Sequence, residues 1–158
     1  GGQRLQAIAA LLPFFDVDPA KIKMLGTGRW DQAGLGAEPA LVGGWYPAPA
    51  PETRAVFEKR YRETFGRAPP RLATLAYDAG ALAAVLGQSG PAAGPNGKKG
   101  ADFSPAALTQ GAGFAGSDGI FRLRADGANE RGLAVLQVLP SGTRAVSKAP
   151  ETFGPATN

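Results

Sequence analysis

The residues best suited to hold a ligand stand together in Gly26-Thr27-Gly28-Arg29-Trp30-Asp31. Two glycines let a ligand come close to the backbone. Thr27 adds a hydroxyl. Arg29 can grip a carboxylate through two parallel N–H bonds, and Trp30 can wall a pocket. The loop lacks the third glycine of a dinucleotide fingerprint and the Gly-Lys-Ser/Thr of a phosphate-binding loop. Two readings stay open. One is a structural turn with Trp30 as a core anchor and Arg29 as a surface charge. The other is a site for a small anion built from Thr27, Gly28, Arg29 and Trp30.

Catalytic chemistry finds little to work with. The chain has no His and no Cys. This removes the commonest general base and metal ligand, together with thiol nucleophiles, disulfides and zinc or iron–sulfur sites. Glu52, Glu58 and Glu63 share one exposed helix, so they do not face each other across a cleft as a glycosidase pair must. The reading is therefore a non-enzyme with no metal and no cofactor. Net charge is +4, from 17 basic and 13 acidic residues. Acids interleave with the bases and no aromatic-and-basic motif is present, so nucleic acid is not an expected partner. No stretch approaches the ~20 apolar residues of a membrane span.

The elements that position the loop follow from periodicity. Within 158 residues there are 23 glycines and 14 prolines, near double the ordinary share of about 12%. Much of the chain must be turns. Leu5, Ile8, Ala9 and Leu12 give Gln3–Phe15 one apolar helical face, with Pro13 ending the ladder. Lys21–Leu25 reads as a strand feeding the glycine-rich loop, Leu35–Ala40 as a short helix or turn, and Leu41–Tyr46 as a second strand. Pro51–Phe65 is the clearest helix, opened by Pro51 and stopped by Gly66. Leu72–Leu86 is nearly all Ala and Leu, which predicts a helix buried between other elements. Asp78 on it needs a backbone N–H or an Arg as partner. Residues 87–100 form a low-complexity loop, and Ser104 caps a short helix after it. The last third is β: Gly119–Arg124, a turn at Asp126-Gly127, Gly132–Leu139, a hairpin at Ser141-Gly142 and Thr143–Ser147. Glu151–Asn158 reads as a surface tail.

Several of these stretches resemble a known family. They are Met24–Asp31, Gly44-Trp45-Tyr46 with Pro47, Phe57–Tyr61, Phe65–Pro69, Ala76–Ala79, Phe114–Arg122 and Asp126-Gly127. In order and spacing the chain is similar to the C-terminal portion of type I periplasmic solute-binding proteins of the branched-chain amino-acid type. It looks closest to the branch named penicillin-binding protein activators. The resemblance implies an α/β fold of two lobes, parallel sheets flanked by helices, incomplete in this chain. It implies a lobe 2 portion over residues 1–46 and a lobe 1 portion with crossover over 47–125. Residues 126–158 then cross back to lobe 2 and end in the tail. Trp45 and Tyr46 fall at the hinge crossover, and the Thr27–Trp30 loop at the cleft. The implied function is periplasmic binding of a small amino-acid-like or anionic solute for an ABC-type membrane transporter. The alternative is activation of a peptidoglycan synthase by the same fold. A lipid anchor would lie in a segment absent here. The chain opens Gly1-Gly2-Gln3 without Met, which reads as the inside of a longer polypeptide. Exposed strand edges and apolar helix faces would then be covered by a homodimer or by a missing N-terminal half.

Overall fold

Pro13 sets where the first helix stops. In the computed structural model, which describes residues 2–19, 21–93 and 98–154, regular α-helix covers Gln3–Ala9 (α1) and gives way to a 3₁₀ turn over Leu12–Phe15. Pro13 has no N–H for an i−4 bond, and Asp16 closes the turn at φ 58°. The elements after α1 are β1 (Trp45–Ala48), α2 (Pro51–Phe65), α3 (Ala73–Leu86), β2 (Ala92–Ala93), β3 (Lys98–Lys99), α4 (Pro105–Leu108), β4 (Phe114–Gly116), β5 (Gly119–Leu123), β6 (Asn129–Arg131), β7 (Ala134–Val138) and β8 (Thr143–Ser147). They divide into two units, Gly1–Ala50 with Leu133–Ala149, and Pro51–Gly132 with Pro150–Asn158.

In the first unit, β1, β7 and β8 form an antiparallel sheet in that order, with Tyr46 opposite Leu136 and Ala48 opposite Ala134. Alternation along β7 sends Ala134, Leu136 and Val138 inward. They meet Tyr46, Leu41, Leu35, Trp30 and Ala9 in one core. Pro47 sits on the edge strand, where a missing donor is tolerated. Two sequence expectations shift here. The second strand starts at Trp45 rather than Leu41, because Pro39–Leu41 is a 3₁₀ turn and Gly43 follows it at φ 85°. The first expected strand, Lys21–Leu25, reduces to a single parallel bridge from Leu25 to Trp45. Ile22 and Leu25 are 49% and 72% exposed, so no second neighbour holds that segment extended.

The second unit holds α2, α3 and α4 with the antiparallel meander β4-β5-β6. Ser104 accepts a bond from the Ala107 N–H, capping α4 as expected. Two short strands, β4 and β6, lie on either side of the expected β5, and β2 pairs β3 inside the low-complexity stretch. Residues 94–97 of that stretch, and 155–158 of the expected tail, lie outside the described residues. The described end of the tail is docked rather than loose. The Phe153 ring lies 4.7 Å from the Arg122 guanidinium, and Gly154 O accepts from Arg122.

Helix α3 is the largest departure from expectation. Its buried members are Thr74, Asp78 and Leu86, while Leu72, Tyr77 and Val85 are 65%, 47% and 61% exposed. The polar pair finds partners on the β4–β5 turn, and that anchors this stripe inward. The parallel pairing implied by the resemblance is likewise confined, among the described residues, to the Leu25–Trp45 bridge. β4-β5-β6 and β7-β8 are joined by short turns, and such connections can only join antiparallel neighbours.

Candidate functional site

The glycine-rich loop hangs from the start of β1. Trp45 N donates to Met24 O at 2.9 Å, and Gly26 N donates to Trp45 O at 2.8 Å. Past that clamp the chain turns into a 3₁₀ turn over Gly28–Trp30. Thr27 caps it, its Oγ1 accepting from the Arg29 N–H at 3.4 Å. At about three residues per turn, this tight helix sets neighbouring side chains about 120° apart. Thr27 and Arg29 are exposed. Trp30 points into the core at 7% exposure, its ring 6.3 Å from that of Tyr46. Gly26 and Gly44 leave room for the indole. A Cβ on Gly44 would lie 2.8 Å from Trp30 Cζ3, and one on Gly26 would fall on the indole itself. Gly28 brings the backbone close to β1, where a Cβ would stand 3.4 Å from Pro47 O. The loop thus offers a hydroxyl and a guanidinium outward, on a base fixed by a buried tryptophan.

Trp45 and Tyr46 part in the same way. Tyr46 is buried at 2%, whereas Trp45 is 38% exposed with Lys23 Nζ 5.0 Å over its ring. Alternation along β1 separates them. The chain leaves the first unit after Ala50, two residues beyond this strand.

The second unit carries a groove of about 220 Å³ lined by Thr53, Val56, Phe57, Arg60, Tyr77 and Ser117. Arg60 Nη1 donates to Tyr77 Oη at 3.3 Å, and the Phe57 ring meets the Tyr77 ring edge-on at 5.5 Å. Asp78 accepts from the Ser117 N–H at 2.8 Å, the backbone partner its position demanded. Asp118 accepts from Thr74 Oγ1 at 2.7 Å, a partner 44 positions away to which no local sequence signal points. Asp78 Oδ2 and Asp118 Oδ1 are buried without a hydrogen-bond partner.

The Ser104 hydrogen bonds hold the exposed Asp102 carboxyl below its ordinary range. Bonds from Arg124 first, then Arg122, hold the Glu130 carboxyl below its ordinary range. The Ala128 N–H and then Arg124 do the same for Asp126. These are charge-assisted bonds that favour the ionised form, and those of Glu130 and Asp126 belong to the β5–β6 hairpin. No group of three or more His, Cys, Asp or Glu among the described residues could hold a metal ion. No helix among them is long and apolar enough to cross a membrane. The exposed groups on offer are the Thr27 hydroxyl and Arg29 guanidinium of the loop, and the Arg60 and Tyr77 side chains of the groove.

No family model matches the chain, and no curated protein does. Solved structures do match it. One, described as a branched-chain amino acid ABC transporter of Rhodospirillum rubrum, aligns with TM-score 0.61 and 20% identity over 80% of this chain and 37% of its own. Another, a leucine binding protein from Thermotoga maritima, aligns with TM-score 0.55 and 17% identity over 91% of this chain and 41% of its own. The chain therefore spans about two-fifths of the length of the proteins it matches. The likeness is one of fold. The chain has part of the two-lobe α/β fold of type I periplasmic binding proteins.

Proposed function

We propose that the chain forms part of a non-catalytic solute-binding protein of the periplasm. It takes a small amino-acid-like or anionic solute and delivers it to an ABC-type membrane transporter. The single observation that carries this reading is the likeness in fold, over 80% and 91% of the chain, to an ABC transporter protein and a leucine binding protein. Fold alone does not fix function, so the loop supplies the chemistry. Arg29 is exposed on a 3₁₀ turn held by Trp30 and by the Leu25–Trp45 bridge. It offers a fork of donors to a carboxylate, with the Thr27 hydroxyl and the Gly28 backbone beside it. The loop follows directly on the Leu25–Trp45 bridge, so its outward groups are held beside the start of β1.

The test is calorimetric titration of the complete gene product with leucine, other α-amino acids and small dicarboxylates. Arg29→Ala should weaken binding about ten- to hundredfold, the loss of one charged hydrogen-bonded contact. Binding that is unaltered in Arg29→Ala overturns the site, and silence with every solute overturns the function.

A second reading rests on the resemblance of the chain as a whole, from Met24–Asp31 to Asp126-Gly127, to the penicillin-binding protein activators. It expects the complete gene product to stimulate glycan polymerisation by a purified penicillin-binding protein with no solute added. Stimulation without solute would favour this reading over transport.

A further inference from the structure

Helix α2 neutralises its bases with its own acids, except at Arg60. Glu58 bonds Arg54 at 2.9 Å and Arg62 at 3.3 Å, and Glu63 stands 3.9 Å from Lys59. Arg60, the remaining base of the helix, meets no carboxylate among the described residues. The residues four before and four after it are Val56 and Thr64, so the helix gives it no acid at that spacing. Its guanidinium bonds instead to α3, with Nη1 donating to Tyr77 Oη at 3.3 Å. A neutral hydroxyl takes up one of the five N–H donors of an arginine and leaves its charge unmatched.

That charge stands in the wall of the groove formed by Thr53, Val56, Phe57 and Arg60 of α2, Tyr77 of α3 and Ser117 of the β4–β5 turn. All six residues belong to the second unit. The rest of the wall is largely apolar. Val56 is exposed along it, and the Phe57 ring meets the Tyr77 ring edge-on at 5.5 Å. The frame is fixed from behind. Asp78 holds the Ser117 N–H at 2.8 Å, and the Phe57 ring lies 5.9 Å from that of Tyr61. A third ring can join such an aromatic pair by the same edge-to-face contact. The volume of about 220 Å³ is that of about seven waters in the liquid, which suits a single-ring molecule and is too small for a peptide segment. A forked cation beside an apolar wall matches a carboxylate head on an apolar body.

We propose that this groove is a ligand site in its own right, for a small monocarboxylate that carries one ring. The carboxylate sits on Arg60, and the ring lies against Val56, Phe57 and Tyr77. The site shares no residue with the Thr27–Trp30 loop, and it stands whether or not that loop takes a solute.

The probe is phenylacetate, titrated by calorimetry into the complete gene product, with phenylacetamide as its uncharged counterpart. Phenylacetate should bind saturably with a Kd of about 1 mM or below, and phenylacetamide about tenfold or more weakly. Arg60→Ala should weaken phenylacetate binding about tenfold or more. Val56→Glu places a carboxylate four residues before Arg60, where it satisfies the guanidinium from within the helix, and should weaken binding to a similar degree. Both positions are exposed, so thermal melts should match the wild type. If Arg60→Ala fails to fold, Val56→Glu and phenylacetamide decide. The absence of saturation up to about 20 mM overturns the inference. So does phenylacetamide that binds as tightly as phenylacetate, or an Arg60→Ala protein that binds like the wild type. Binding lost in Arg29→Ala but kept in Arg60→Ala would place the probe on the loop and overturn it too. Leucine titration reads the loop and phenylacetate reads the groove, so either assignment can fail without the other.

Discussion

Thr74 and Asp118, forty-four positions apart, are joined by a 2.7 Å hydrogen bond between two buried side chains. Thr74 Oγ1 donates and Asp118 Oδ2 accepts. One helical turn along α3, Asp78 receives the Ser117 N–H. These two bonds tie a helix of 14 residues to the two-residue turn Ser117-Asp118, and they explain why α3 shows its polar side to the protein.

Thr74→Val should therefore be costly. Valine fits the space but cannot donate, and Asp118 Oδ1 is already without a partner. A buried carboxylate that loses its donor costs about 1.5–3 kcal/mol. Urea unfolding should show that loss in the transition of the second unit. Removing both partners, as Thr74→Val with Asp118→Leu, should recover part of it. A double variant as weak as the sum of the singles would show that the pair is not coupled.

Gly116 and Asp78 make a second coupled pair. A Cβ on Gly116 would stand 2.5 Å from Asp78 Oδ2 and 3.0 Å from its Cγ. Replacing glycine by alanine usually gains about 0.4–1 kcal/mol through the unfolded chain. Here the clash decides the sign, because the Ser117 N–H pins the carboxylate in place. Gly116→Ala is expected to lose about 1–3 kcal/mol. In an Asp78→Ala background the same change should cost much less. Equal cost in both backgrounds would mean that the backbone at 116, not Asp78, requires the glycine.

The sequence made α2 legible because its signals are local. Pro51 opens it, Gly66 stops it, and Glu58 pairs with Arg54 and Arg62 one turn to either side. The β7–β8 hairpin was legible for the same reason, through Ser141-Gly142 with Gly142 at φ 80°. Lys21–Leu25 misled because a short apolar run between Pro19 and Gly26 says nothing about what will pair with it. α3 misled because its composition shows that it is apolar, while its direction is set by Ser117 and Asp118 far along the chain. In the loop, residue types pointed to Arg29 and Trp30 together. Only the 3₁₀ turn shows that one faces solvent and the other the core.

Acid should weaken the β5–β6 hairpin. Glu130 receives Arg124 Nη1 at 2.8 Å and Arg122 Nη2 at 2.6 Å. Its carboxyl is held below its ordinary value of 4.5. A group with a depressed folded value contributes stability that is fully present above the unfolded value and is lost as pH falls through the folded one. Urea midpoints measured from pH 7 down to pH 3 should thus fall, and Glu130→Gln should fall less steeply. The gap between wild type and variant should close as pH drops below about 4. A gap that stays constant across that range would remove Glu130 from the acid response.

Trp30 and Arg29 should separate cleanly, one as the anchor of the loop and the other as its contact. Trp30→Ala empties a buried ring site next to Tyr46, Gly26 and Gly44, and large aromatic truncations of this kind cost about 3–5 kcal/mol. Gly26→Ala drives a methyl group into the same indole, at about 1–3 kcal/mol. The two changes together should cost less than their sum, since the methyl then has space to occupy. Arg29→Ala removes an exposed side chain and should leave stability within about 0.5 kcal/mol, while weakening solute binding. Thermal melts and titrations on the same four proteins check both halves. A Trp30→Ala protein that melts like wild type yet no longer binds would make the indole a pocket wall. The buried position of the ring at 7% exposure argues for the opposite result, a destabilised protein whose residual folded fraction binds through Arg29.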